Sequence, residues 1–283
     1  MMKKFITALL IWAVAFALPA GCGKQGAASE GADGNGLDAA AIVAKSVEAT
    51  AGFTNYTATL VSEIELSSPS QSVTMTMNSF MDVFLDPFKI RIQTESNLPL
   101  EGMGGDDCYI FTEGENLVTY TFMNGNWYKS SQPSSDGPLA GFGMSQNCQT
   151  LNNSLKKADI VDVEQIDGAS CWKIEAMIDP AASMELLKGI QGSQDLDALL
   201  PDDADQSTDD VPTTLWISTS NFYLVRMDID MAFAFAPGLE NSAGGIKILK
   251  MNLSETTANY GNATDFTLPD EARNAQTIEG VFR

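Results

Sequence analysis

The residues able to do chemistry in this 283-residue chain are limited first by the absence of histidine. Without an imidazole, the chain lacks the usual general base near neutral pH. It also lacks Ser-His-Asp and Cys-His nucleophile pairs and histidine-ligated zinc. Lysine- and carboxylate-based chemistry remain open, but 37 acidic residues offer too many pairs for any two to be selected. The composition therefore argues against an enzyme.

Two short motifs that could support catalysis or metal binding are incomplete. Ser154 and Lys157 match S-x-x-K, the nucleophile motif of penicillin-binding proteins, but the required K-T-G is missing. The alternating oxygens of residues 203–209 are similar to a calcium loop, but Thr208 and Thr214 stand where such a loop needs glycine and glutamate. We predict a helix end or loop at the first motif and a solvated acidic loop at the second, with weak surface calcium as the alternative. No catalytic residue, metal site or cofactor is predicted.

Cys22 is the first of four cysteines, and it lies where a lipid would be attached. Two lysines precede an apolar run, Phe5 to Leu18, that is too short to span a bilayer and is typical of a secretory signal. Ala20-Gly21 before Cys22 resembles the lipobox of bacterial lipoproteins, whose cysteine is lipidated and becomes the first residue. We predict a signal peptide over residues 1–21, with cleavage after Ala17 and simple secretion as the alternative.

The segment after Cys22 is rich in Gly, Ala, Ser and Asn. Such a composition cannot bury apolar area, so residues 22–36 are predicted to be a lipidated cysteine and a flexible tether. The tether would join a membrane anchor to a single domain at residues 37–283. The net charge of −21 argues against nucleic acid as a partner. We predict an exported, extracytoplasmic protein that is lipid-anchored at the cell membrane or outer membrane.

The other three cysteines are Cys108, Cys148 and Cys171, and they predict one disulfide and one free thiol in an oxidising compartment. A meander would separate the strands of Cys108 and Cys171 by three others, each about 4.8 Å wide. That distance exceeds the Cα separation of about 7 Å that a disulfide permits. Cys148 lies in a long connection that can reach either strand. We therefore predict Cys148 in the disulfide, with Cys108 or Cys171 as its partner.

The secondary structure expected from the sequence is one helix followed by many strands. A capped helix is predicted over residues 39–51, ending at a left-handed Gly52. Apolar residues then alternate at period two, which predicts antiparallel strands in an α+β, mainly β fold. Asn124-Gly125 and Asp167-Gly168 predict hairpin turns. An acidic insert at about residues 179–212 interrupts the strands, and its amphipathic helices are expected to act as a lid.

Methionines in the predicted strands are the candidates for a binding surface. Met is flexible and polarizable, so it suits surfaces that repack around variable apolar partners, although plain core filling is the alternative. The residues predicted to line an apolar cavity are Met75, Met77, Met81, Met227, Ile229 and Met231.

Several motifs follow the same order as in a known group of proteins. They are Phe53 to Tyr56 before a strand, Asp86-Pro87, Tyr120 to Lys129, Asp167 to Trp172, Leu215 to Ser218 and Phe266 to Ala272. Their order resembles the LolA/LppX-like group of bacterial envelope lipoproteins, which includes RseB-like sensors. The resemblance implies a curved, incomplete antiparallel β-barrel, a half-barrel, with helices packed in its concave mouth. It also implies a lipid, an acylated protein or another protein as the binding partner.

The expected function is that of a non-enzymatic envelope lipoprotein. Its concave half-barrel would bind a lipid, an acyl chain or another apolar small molecule. The alternative is a structural or regulatory, sensor-like interaction protein with a dry core, whose partner is another envelope protein. In both cases the lipid anchor would attach the chain to the membrane.

Overall fold

The computed structural model describes residues 36–68, 71–97, 107–133, 149, 151–179, 210–230 and 247–278. Its elements, in chain order, are α1 (Ala39–Thr50), β1 (Asn55–Ser68), β2 (Gln71–Leu85), β3 (Phe88–Ser96), β4 (Asp107–Glu113), β5 (Asn116–Met123), β6 (Asn126–Pro133), β7 (Leu155–Ile166), β8 (Ala169–Ile178), β9 (Val211–Ser218), β10 (Leu224–Asp230), β11 (Lys247–Ala258), a 3₁₀ turn (Asp270–Asn274) and β12 (Gln276–Thr277).

The twelve strands form one sheet in the order β12-β6-β5-β4-β3-β2-β1-β11-β10-β9-β8-β7. Neighbours are antiparallel except for the short β12, which runs parallel to β6. Because β1 pairs with both β2 and β11, the first and last long strands meet in the middle of the sheet. The sheet is curved and open, since β6 and β7 lie towards opposite edges and do not pair. The predicted half-barrel of mainly antiparallel strands is confirmed.

Helix α1 begins where the sequence predicts. The Asp38 carboxylate accepts a hydrogen bond of 2.7 Å from the backbone N–H of Ala41, which satisfies one of the free donors of the first turn. Ile42 and Val43 are almost fully buried in the main core cluster, and the helix packs against β7 and β9. The apolar face of α1 therefore covers part of one face of the sheet.

Glycine residues were expected at two hairpin turns and at the end of α1. The φ angles are positive at both residues of each turn: 51° at Asn124 and 76° at Gly125, and 49° at Asp167 and 84° at Gly168. Each turn joins two paired strands. Both predicted hairpins are confirmed. The prediction of a left-handed conformation at Gly52 is wrong, because Gly52 has no positive φ angle. Helix α1 ends at Ala51, which is right-handed and donates its backbone N–H to the carbonyl of Glu48.

The two faces of the sheet carry different side chains, as period-two alternation requires. On β1 and β2, Leu60, Ile64, Met75 and Met77 are at most 2% exposed and belong to the main core cluster with α1. We call this side the concave face. Phe80, on the opposite face of β2, is 46% exposed.

The convex face of β2 to β5 is covered by the C-terminal segment. Phe266 and Ala272 join Tyr109 and Tyr120 in a second apolar cluster. The ammonium of Lys89 bonds to the Asp265 carboxylate and donates to the carbonyl of Phe266 at 3.0 Å. This aromatic cluster was not predicted from the sequence, and it attaches the 3₁₀ turn to the sheet just before β12 pairs with β6.

Several predicted features lie outside the described residues. They are the signal peptide, residues 22–35 of the tether, Cys22, Cys148, Met231, residues 180–209 of the acidic insert with its expected lid helices, and the calcium-like loop. Within the part of the chain that the structure describes, no helix combines the length and the apolar character needed to cross a membrane.

Candidate apolar binding site

Five of the six predicted cavity residues lie on the concave face. Met75, Met77 and Met81 come from β2, and Met227 and Ile229 come from β10; all are between 1% and 6% exposed. Strands β1 and β11 separate the two groups, but all five belong to the same core cluster. The structure therefore brings these five residues to one apolar surface. They are packed in the core, as expected if the methionines only fill it.

A small cavity lies on this face where β1, β10 and β11 run side by side. Its lining is Leu60, Met227, Ile229, Leu253 and Glu255. The register explains this grouping, because Glu255 of β11 is directly opposite Leu60 on one side and Met227 on the other. The space is too narrow to hold the centre of a water molecule. The cavity is therefore a dry crevice between packed side chains.

Glu255 is the one lining residue that can ionise, and it is only 8% exposed. Burial raises the pKa of its carboxyl to about 7, and a hydrogen bond from the Thr257 hydroxyl, at 3.4 Å, opposes that rise. Sequence reasoning missed this residue. The available signal was the period-two row Met251, Leu253, Glu255, Thr257, in which a glutamate occupies a position on an apolar face.

A group of charged side chains on β7 to β10 is paired on the convex face. Glu164 accepts from Lys173 at 2.9 Å and from the Trp216 indole at 2.8 Å, and the Lys173 hydrogen bond is the main reason that its pKa lies below the usual value. Arg226 stacks 4.8 Å from the Trp216 ring centroid and bonds to Asp228. This network links β7 to β10 across the outside of the sheet, and Glu255 has no comparable cationic partner among the described residues.

Cys108, on β4, and Cys171, on β8, are not bonded to each other, and both thiols are free within the described part of the chain. Burial raises the pKa of the Cys108 thiol to about 12 and also raises that of Cys171. Six strands lie between β4 and β8, where the sequence predicted three, because β1 pairs with β11 in the middle of the sheet. This larger separation agrees with the prediction that Cys108 and Cys171 do not form a disulfide with each other. A disulfide to Cys148 involves a residue outside the described ranges and stays a prediction.

The S-x-x-K residues do not form a catalytic pair. Residues 151–154 are helical, and Ser154, at their end, donates its hydroxyl to the Leu151 carbonyl at 3.0 Å. Lys157 already lies in β7 and forms an ion pair of 2.9 Å with Asp159. The predicted helix end is confirmed for Ser154. Among the residues that the structure describes, no group of three acidic or cysteine side chains is placed to hold a metal ion.

The open, curved antiparallel sheet with a helix on its concave face is the half-barrel architecture that the predicted resemblance implies. A family profile matches residues 38–277, which is most of the chain. The chain belongs to this family, which is described as a family of unknown function, DUF6612. No curated protein matches the sequence.

Similar solved structures come from several bacteria. Lipoprotein LppX of Mycobacterium tuberculosis is 19% identical with a TM-score of 0.48, and 80% of this chain aligns with 96% of that one. LprF of Mycobacterium bovis is 18% identical with a TM-score of 0.42, over 83% and 97% of the two chains. A LolA superfamily protein of Nitrosomonas europaea is 14% identical with a TM-score of 0.24, and 83% of this chain aligns with 96% of that one. Because these values describe a distant likeness of fold, the ligand has to be inferred from the residues of this chain.

Proposed function

We propose that this chain is a non-enzymatic binding protein of the cell envelope that holds an acyl chain or another apolar ligand against its concave face. The observation that carries this proposal is the continuous apolar surface formed by β1, β2, β10 and β11, with a crevice at its centre. Burial of an alkyl chain there would stabilise the complex by about 0.8 kcal/mol per methylene. The side chains of Met227 and Leu253 would supply much of that contact.

The crevice must widen before it can accept such a ligand. It has no room for the centre of a water molecule, whereas typical small-molecule sites enclose roughly 300–1,000 Å³. Met227, on its wall, has three rotatable side-chain bonds, and thioether chains of this kind adapt readily to a changed partner. The structure is therefore consistent with a closed form whose β10 wall rearranges on binding.

The small crevice also favours a second candidate function, an envelope interaction protein with a dry core. In that case the methionines only fill the core, and the binding surface lies at the edge of the sheet. Strand β7 lies at one end of the strand order, and its Val161 and Val163 are 45% and 50% exposed. A strand at the end of a sheet can pair with a strand of another protein.

A polar substitution in the crevice distinguishes the two functions. The experiment uses the full exported chain carrying Cys22→Ser and follows the fluorescence of Nile red, an uncharged apolar dye, at micromolar concentration. Met227→Gln should weaken dye binding about tenfold, because a poorly paired amide costs roughly 1–3 kcal/mol in an apolar site. Met177→Gln is the matched control, since Met177 is 37% exposed on the other side of the sheet, and it should leave binding unchanged.

Circular dichroism would show that both variants are folded at the temperature of the titration. Saturable dye binding that is weakened only by Met227→Gln supports the ligand-binding function. A folded wild-type protein that binds no dye, or equal binding by both variants, would contradict that function and favour the interaction protein.

We also propose that Cys22 is lipidated and anchors the protein outside the cytoplasm. The proposal is supported by Ala20-Gly21-Cys22 after a short apolar run. Cys22→Ser should move the protein from the membrane pellet to the soluble fraction. Cys148→Ser, the control, should leave it in the pellet. Retention of the Cys22→Ser protein in the pellet after a high-salt wash would show that the attachment lies elsewhere.

A further inference from the structure

Glu255 occupies an unusual position for a carboxylic acid. It lies inside the crevice, opposite Leu60 on β1 and Met227 on β10, with Leu253 two residues before it on the same face. The Thr257 hydroxyl, at 3.4 Å, is the one hydrogen-bond partner found for its carboxyl among the described residues. A buried polar group with so little compensation destabilises the fold. The carboxyl therefore calls for an explanation beyond packing.

No charged side chain described on the neighbouring strands faces Glu255. Alternation places the charged residues of β1, β10 and β11 on the convex side, where Lys250 bonds to Glu63 at 3.0 Å and Arg226 to Asp228 at 2.7 Å. The described charged residues of these three strands on that side are Glu63, Glu65, Arg226, Asp228, Asp230 and Lys250. Desolvation is accordingly the main cause of the raised pKa of Glu255.

We propose that Glu255 recognises the polar group of a buried amphiphile, and that this group is an uncharged hydrogen-bond acceptor, the carbonyl of an ester or amide next to an acyl chain. This inference rests on the proposed binding of an apolar ligand. The acyl chain would lie against Leu60, Met227 and Leu253, and the carbonyl oxygen would accept the carboxyl proton of Glu255.

The donor and acceptor count of the crevice selects this class of ligand. A protonated carboxyl donates one hydrogen bond, and a carbonyl oxygen can accept it without bringing a charge into the crevice. An alkylammonium would bring a positive charge, which a protonated Glu255 and the Thr257 hydroxyl, the polar side chains of the described lining and its neighbour, cannot neutralise. A fatty-acid anion would place a second carboxyl beside Glu255 in a chain of net charge −21, which like-charge repulsion disfavours.

The ligand class can be tested with three ligands of equal chain length, methyl decanoate, decanoate and decylammonium, as competitors of Nile red. The protein is again the full exported chain carrying Cys22→Ser. At pH 6 the ester should bind at least about tenfold more tightly than either ion, since one well-placed hydrogen bond and the avoided burial of charge both favour it. Between pH 6 and pH 8 its affinity should fall about tenfold, because only the protonated fraction of Glu255 can donate.

Two variants of Glu255 separate hydrogen bonding from packing. Glu255→Gln keeps an N–H donor but cannot titrate, so ester affinity should stay within about twofold of that of wild type at pH 6 and become independent of pH. Glu255→Met keeps the size and removes the donor, so ester affinity should fall about five- to tenfold while Nile red binding is retained. Glu175→Gln, at an exposed glutamate of β8, is the matched control and should change neither property.

Each outcome supports or overturns a distinct claim. If Nile red and the ester both fail to bind, the proposed function is wrong, and the role of Glu255 falls with it. If Nile red binds but the ester does not, or decylammonium binds more tightly than the ester, the ligand class is wrong while apolar binding stands. If Glu255→Met binds the ester as tightly as wild type does, Glu255 does not recognise the carbonyl.

Discussion

Glu255→Gln should make the folded protein about 3 kcal/mol more stable than wild type at pH 8, and should leave its stability unchanged at pH 4. Burial raises the pKa of Glu255 from 4.5 to about 7, and each unit of such a shift corresponds to about 1.4 kcal/mol. Below pH 4.5 the carboxyl is protonated in the folded and unfolded chains alike. As the pH rises from 4.5 to 7, the Glu255 carboxyl ionises readily only in the unfolded chain. The free energy of unfolding of the wild type therefore falls across that window and stays lower above it.

Urea unfolding at several pH values between 4 and 8 would measure this difference. Glu175→Gln is again the control, because Glu175 is exposed on β8, and its curve should follow that of wild type. If the stability of Glu255→Gln and of wild type varied with pH in parallel, Glu255 would not be a desolvated carboxyl. The crevice would then have to be wetter than its geometry indicates.

The second large effect is expected at β2, where the two faces of one strand differ most. Met77→Ala should destabilise the protein by about 2–5 kcal/mol, because it leaves a cavity in the packed core. Phe80→Ala, three residues along on the convex face, should cost about 1 kcal/mol or less, because Phe80 is 46% exposed. The melting temperature should therefore fall by roughly 5–15 °C for Met77→Ala and by only a few degrees for Phe80→Ala.

Differential scanning calorimetry of the two variants would measure both values. The comparison is informative because both residues lie in the same long strand and both lose large apolar side chains. Similar losses of melting temperature would contradict the assignment of the Met-rich row to the concave face.

The local structure could be predicted from the sequence because its signals are short-range. Asp38 caps the helix with its own side chain, and Asn124-Gly125 adopts the positive φ angles that a tight hairpin requires. The apolar alternation of β2 likewise placed Met75 and Met77 on one face. In each case the residues that determine the structure are at most a few positions apart.

The order of the strands could not be predicted in the same way. The pairing of β1 with β11 joins residues such as Leu60 and Glu255 that are far apart in sequence, and the period-two pattern carries no information about which strands pair. The separation of Cys108 from Cys171 was underestimated for this reason. Packing of Phe266 on the convex face was missed for the same reason, since the aromatic cluster depends on the assembled sheet.

The candidate site was predicted only in part. The methionine rows identified the apolar face, but the crevice exists only where β1, β10 and β11 lie side by side. Glu255 is one of 37 acidic residues, and nothing in its immediate sequence distinguishes it except its position in the row from Met251 to Thr257. Its burial depends on Leu60 and Met227, which belong to other strands.

Binding of an apolar ligand on the concave face is the central claim, and native mass spectrometry tests it most directly. The full exported chain carrying Cys22→Ser would be purified from the producing cells without detergent. Its spectrum would be compared before and after lipid extraction, with identification of the released molecule. We predict an extra mass that is lost on extraction, corresponds to an uncharged acyl ester or amide, and returns when methyl decanoate is added at micromolar concentration. A protein that carries no extra mass, and that takes up no ester after extraction, would contradict the claim.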